Sequence, residues 1–125
     1  MRVCNINIYV SDLDFAIEWY EEVLGLNVAS RRNYPTSVFL QHESDTPLVL
    51  HKAEKDTDLD IWKDSATILT FEEKNLREKM KDLKERGVIM MNDEPQWFPD
   101  GERIAFKDPF GNIHELAEMR SDNKK

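Results

Sequence analysis

From Cys4 to Val10 the chain alternates, with Ile6, Ile8 and Val10 on one side and Asn5, Asn7 and Tyr9 on the other. A period of two predicts a β-strand with one apolar face and one face rich in hydrogen-bonding groups. The period then lengthens. Leu13, Ala16, Ile17, Tyr20, Val23 and Leu24 recur at helical spacing, after Ser11 as the N-cap with Asp14 three residues on, and before Gly25 as the residue that ends the helix. Strands are expected at Asn27–Arg31, Thr36–His42 and Leu48–Ala53, separated by turns at Asn33-Tyr34-Pro35 and Ser44-Asp45-Thr46-Pro47.

The same order then recurs. Ser65–Phe71 reads as a strand. Asn75 caps a helix with Glu78 three residues on, Leu76, Met80 and Leu83 share a face, and Gly87 closes it. Strands follow at Val88–Asn92, Arg103–Asp108 and Ile113–Met119, the last two joined by the turn Asp108-Pro109-Phe110-Gly111-Asn112. Gly25 and Gly87 stand about half the chain apart, so each half reads strand, helix, strand, strand, strand. This is a duplicated βαβββ unit. The expected organisation is a single α+β domain, 1–125, built of modules 1–53 and 65–120 with an acidic linker at 54–64 and a frayed tail at 121–125.

Composition narrows the partners. The 125 residues carry 17 basic and 25 acidic side chains, a formal net charge of −8. Nucleic acid is an unfavourable partner for such a chain, because phosphate neutralisation needs clustered Lys and Arg. Anionic membrane surfaces are disfavoured for the same reason, and no apolar run approaches the roughly 20 residues that span a bilayer. Met1-Arg2-Val3-Cys4 runs into a strand without a signal-peptide pattern. Cys4 is the only cysteine, which excludes an intramolecular disulfide, and it reads as a small buried residue at a strand start. A cytoplasmic protein is the expectation.

Asn5 to Val28 (NINIYVSDLDFAIEWYEEVLGLNV) and Phe106 to Met119 (FKDPFGNIHELAEM), with the duplicated layout, resemble the vicinal oxygen chelate superfamily. That superfamily includes glyoxalase I, bleomycin-resistance proteins, fosfomycin-resistance enzymes and extradiol dioxygenases. The resemblance implies two modules forming a curved, mixed eight-stranded sheet around a cavity, commonly in a homodimer. It also implies a divalent metal on the concave face that chelates two neighbouring substrate oxygens and acts as a Lewis acid.

The metal positions that the resemblance implies are poorly kept. The first falls on Asn5, where His or Gln is usual. Its counterpart in the second module falls at Ala66 or Thr67, a third at Val49, and only the last, Glu115, keeps its acid. A divalent ion generally needs three or more good protein ligands. His51 lies two residues beyond Val49 on the same strand face, so a displaced site of Glu115, His51 and Asn5 or Asn7 is an alternative. Glu115 itself has two readings: a structural carboxylate bonded to Asn5 or Asn7, or a candidate catalytic base facing a ligand.

His42 at a strand end and His114, alternating away from Glu115, read as surface or packing residues. Trp97 and Phe98, between Pro95 and Pro99, offer a cavity wall, and Trp62 an anchor in the linker. Arg31, Arg32 and Tyr34 fall where family loops overhang the cavity, and the paired arginines read as a solvated pair, with contact to an anionic ligand as the alternative. No Gly-rich phosphate loop, GxSxG elbow or HExxH helix is present.

Two functional readings follow. The first is a metal-free small-molecule binder, with no cofactor, working as bleomycin-resistance proteins do when they sequester a cationic drug. Its ligand-binding residues are Asn5, Asn7, Tyr9, His51, Trp97, Phe98 and Glu115, and the net acidity suits a cation. The second is a glyoxalase I-type lyase or isomerase that uses Glu115 and His51 with a divalent metal such as Zn, Ni, Mn or Fe.

Overall fold

A computed structural model describes residues 3–56 and 68–120. The chain divides into two compact units, Met1–Thr57 and Asp58–Lys125. The first holds β1 (Ile6–Val10), α1 (Leu13–Leu24), β2 (Val28–Ser30), β3 (Ser37–Leu40) and β4 (Leu48–Lys52); the second holds β5 (Leu69–Glu72), α2 (Leu76–Glu85), β6 (Ile89–Met90), β7 (Gln96–Phe98), β8 (Gly101–Lys107) and β9 (Ile113–Met119).

The α+β class and the repeated layout stand. The strand order is β1-β4-β3-β2 in a four-stranded sheet and β5-β9-β8-β6 in a five-stranded one, whose fifth strand, β7, also pairs with β8. In each unit the first strand lies parallel to the last, and the other pairings are antiparallel. The two sheets are mixed for the same reason: the helix carries the chain across the sheet before the antiparallel strands return.

The apolar side of β1 is buried as its alternation requires. Ile8 and Val10 join Val38, Leu40, Leu48 and Leu50, and α1 adds Leu13, Ala16, Ile17, Tyr20 and Val23. Each Val, Leu or Ile among them contributes about 1.5–3 kcal/mol when fully removed from water. Trp19 is half-buried, edge-on to the fully buried Tyr20. The N-cap is Asp12 rather than Ser11: the Asp12 carboxylate accepts from Phe15 N at 3.0 Å, while the Ser11 hydroxyl donates to Asp56. Both residue types cap well, and the fold selects the one whose carboxylate reaches the third helical amide. At the other end Gly25 takes φ 70°, and Gly25 N–H and Leu26 N–H bond back to Glu21 O and Tyr20 O. That double closure needs a left-handed residue, which glycine adopts without Cβ strain.

In the second unit α2 buries Leu76, Met80 and Leu83. Asn75 caps the helix by accepting from Glu78 N, its Nδ2 donates to Glu78 Oε2, and Glu118 accepts from Leu76 N at 2.9 Å, tying the helix start to β9. The Asp108–Asn112 turn is held by the buried Asp108, whose carboxylate accepts from Phe110 N, Asn112 N and Asn112 Nδ2. Strand ends differ from expectation by a few residues, and positions 65–67, the linker from 57 onward with Trp62, and the tail lie outside the described residues. Two expectations are corrected. Cys4 is exposed and precedes β1 instead of being buried within it. The Pro95–Pro99 segment contains a strand, β7, because a three-residue edge strand tolerates flanking prolines.

Candidate functional site

Each sheet has one face under its helix and one face that no described helix covers, the open face, on which Ser37, Val49, Ala105 and Ala117 are nonetheless buried; the open faces carry most of the candidate residues. In the first unit, β1–β4–β3 register places Asn7, Val49 and Phe39 in one row and Tyr9, His51 and Ser37 in the next. Paired strands keep side chains of one row on one side of the sheet. His51 and Asn7 approach to 2.8 Å through Nε2 and Oδ1. An amide oxygen can only accept, so His51 carries a proton on Nε2, and in the neutral ring the lone pair sits on Nδ1. The Tyr9 ring stacks on His51 with centroids 5.0 Å apart and planes 20° from parallel, and Tyr9 remains 57% exposed. Alternation along β1 anticipates that Asn7 and Tyr9 share a face, and the β1–β4 register brings His51 to them. Asn5 precedes β1 and is exposed.

Phe39 and Arg32 extend this face. The Arg32 guanidinium lies 4.5 Å from the Phe39 ring centroid, a cation–π contact. Arg31 stands 5.6 Å from the Tyr34 ring. The Tyr34 hydroxyl donates to Asp14 Oδ1 at 2.6 Å, and that hydrogen bond, with the nearby negative charge, raises the phenol above its usual range. Arg32 belongs to the loop expected to overhang the cavity, whereas nothing in its spacing marks Phe39, and the fold of β2 onto β3 joins the two.

In the second unit Glu115 shares a row with Thr70 and Ala105. Thr70 Oγ1 donates to Glu115 Oε1 at 2.9 Å, so the carboxylate is held by its neighbour on β5. Thr70 falls in the strand expected there, but nothing in its spacing marks it as a partner. Glu72, Arg103 and Lys107 lie on the same face by alternation, two cations for two acids. Trp97 and Phe98 part company. Phe98 pairs with Gly101 and lies under Arg103, on the Glu115 side, with the guanidinium 5.2 Å from its ring. Trp97 pairs with Glu102 on the opposite side, 68% exposed, with Arg120 5.6 Å from its ring.

His114 alternates away from Glu115 into the core, 3% exposed, with the Phe71 and Phe106 rings at 5.7 and 5.8 Å. Burial pushes its pKa down to about 4, against the opposing pull of Asp108. It is a packing residue, as expected. His42 caps a turn through Thr46 O and Ser44 N.

The charge distribution alters the picture of the ligand. Asp14, Glu18, Glu21 and Glu22 are exposed on α1, away from the open face of its sheet. The rows of Asn7 and Tyr9 hold no carboxylate. The family metal positions fit an ion poorly here: Asn5 supplies a lone amide off the strand, Val49 is a buried hydrocarbon, and Glu115 is engaged by Thr70. Among the described residues no group of three or more His, Cys, Asp or Glu is arranged to hold a metal; Ala66 and Thr67 lie outside them. Nor is any described helix long and apolar enough to cross a membrane.

Solved structures share this fold. A variant of the fosfomycin resistance protein FosX from Listeria monocytogenes, complexed with Mn(II) and 1S,2S-dihydroxypropylphosphonic acid, is 15% identical with a TM-score of 0.76, over 97% of this chain and 92% of its own. The trypanothione-dependent glyoxalase I of Leishmania major is 23% identical with a TM-score of 0.73, over 94% and 86%. A glyoxylase/bleomycin resistance protein/dioxygenase domain from Frankia sp. EAN1pec is 20% identical, also with a TM-score of 0.73, over 97% and 93%. A comparison with curated proteins gives no match. At the level of families, residues 2–116 match a single description, and the chain belongs to the Glyoxalase/Bleomycin resistance protein/Dioxygenase superfamily.

Proposed function

We propose that this protein is a metal-independent binder of a small organic molecule, held on the open sheet face that carries Asn7, Tyr9 and His51, and that it works in the cytoplasm as a homodimer. The observation that carries the reading is the state of His51. It donates Nε2–H to Asn7 and stacks on Tyr9, an arrangement suited to an organic ligand, and the rows around its Nδ1 lone pair hold no carboxylate and, at the neighbouring metal position, only the hydrocarbon Val49. A flat aromatic surface with a few fixed polar groups is the usual composition of a small-molecule site.

The reading is tested by ligand-observed NMR with a panel of small aromatic compounds on the full-length chain in EDTA. Binding in EDTA that is lost in Tyr9→Leu and His51→Ala supports it. Binding that appears only when Zn, Ni, Mn or Fe is added contradicts it. In that case the metal-dependent lyase reading takes over.

A further inference from the structure

Resting on the small-molecule reading above, we infer that the ligand of the first unit's open face is a flat aromatic anion, not a cation. Three features of that face converge on this class. The first is its stacking surface. Tyr9 and His51 are stacked nearly parallel, and more than half of Tyr9 faces solvent, which extends a flat π surface outward from the sheet. Planar rings stack on such surfaces with little regard to their substituents.

The second is the hydrogen-bonding balance. Asn7 Oδ1 is used by His51, so what Asn7 offers a ligand is its Nδ2, with two N–H donors. Donors of that kind select carboxylate, phenolate or carbonyl oxygens. The third is charge. Arg32 is exposed and lies over Phe39, in the row that also contains Asn7 and Val49, and the rows of Asn7 and Tyr9 contain no carboxylate to attract a cation. Asn7 and Phe39 are two interstrand steps apart, about 10 Å. A two-ring aromatic acid spans from the Tyr9–His51 stack toward the Arg32 guanidinium, whose planar fork matches a carboxylate. The net charge of −8 points the other way, but Glu18, Glu21 and Glu22 are on the exposed side of α1, and Asp14 is bonded to the Tyr34 hydroxyl.

Calorimetric titration of the full-length chain in EDTA, with 2-naphthoate, 2-naphthylmethylammonium and 2-naphthylmethanol, tests the inference. Naphthoate is expected to bind at least fivefold more tightly than the ammonium compound. Tyr9→Leu should weaken naphthoate about tenfold, the range of one aromatic stacking contact. Arg32→Gln should weaken naphthoate about threefold to fivefold, as an exposed ion pair does, and leave the neutral alcohol within twofold. Unchanged urea midpoints in both variants would show that each is folded.

Equal or tighter binding of the ammonium compound, lost in Tyr9→Leu, overturns the anion inference and leaves the small-molecule reading standing. Naphthoate binding indifferent to Tyr9→Leu, or no binding by any of the three, also overturns it. Naphthoate binding abolished by EDTA and restored by Mn(II) overturns the metal-independent reading on which the inference rests.

Discussion

The two units use one plan for different ends, and their histidines show how. His51 stands on the open face of the first sheet, bonded to Asn7 and stacked on Tyr9. His114 stands under the helix side of the second sheet, enclosed by Phe71 and Phe106. Both sit on the strand that closes its unit, paired in parallel with the first strand. A shift of one residue along a strand decides between the faces, so the same side chain stands on the face away from the helix in one unit and packs in the core in the other. The lesson extends to the acids. Glu115 faces the open side and is held by Thr70, whereas Glu118 turns to the helix side and caps α2.

The largest expected effect that separates the histidines is pH. His114 has its pKa pushed down to about 4 by burial, from an ordinary 6.5. The fold therefore keeps it neutral while the unfolded chain takes up a proton. Its contribution is fully present above pH 6.5, declines as pH falls from 6.5 to 4, and levels off below; the whole loss is on the order of 3 kcal/mol. Urea unfolding at pH 7 and pH 5 should show most of this decline in the wild type and in His51→Ala, and a flatter profile in His114→Leu. Equal slopes in all three would remove the contrast.

Two glycines sharpen it further. A Cβ on Gly101 would lie 2.0 Å from Glu118 O across the β8–β9 pairing, so Gly101→Ala should cost about 2–3 kcal/mol by forcing the strands apart. A Cβ on Gly25 meets nothing within 4 Å, and Gly25→Ala should cost about 1 kcal/mol, from the left-handed backbone alone. Thermal or urea denaturation orders the pair. Of the same size is Asn75→Ala, expected to cost about 1 kcal/mol through the lost cap of α2.

The smallest stability effect belongs to the candidate site. Tyr9→Leu, at an exposed position, should change stability by no more than about 0.5 kcal/mol while weakening naphthoate binding about tenfold. A variant that unfolds would place Tyr9 in the core and not in a site.

Much of this contrast was legible in the residues. Strict alternation from Asn5 to Val10 by itself separates the polar face from the buried one, and the pattern Ile113–Met119 turns His114 away from Glu115. The capping pair Asn75–Glu78 and the closing Gly25 are local signals, and local signals survive folding. The partners were not legible. His51 finds Asn7, and Glu115 finds Thr70, through parallel pairings across more than 40 residues of chain, and register of that kind is set by packing, not by neighbours in sequence. β7 was hidden by its brevity and its flanking prolines, and with it the opposite orientation of Trp97 and Phe98. Nor was the placement of charge legible, because a net value does not say which face of a sheet carries it.

The central claim is that the ligand face works without a metal ion. Elemental analysis of the full-length chain, purified without chelator and dialysed against metal-free buffer, tests it most directly. The account predicts far less than one equivalent of Zn, Ni, Mn and Fe combined per chain. One tightly held ion per chain, lost in Glu115→Ala or His51→Ala, would contradict it.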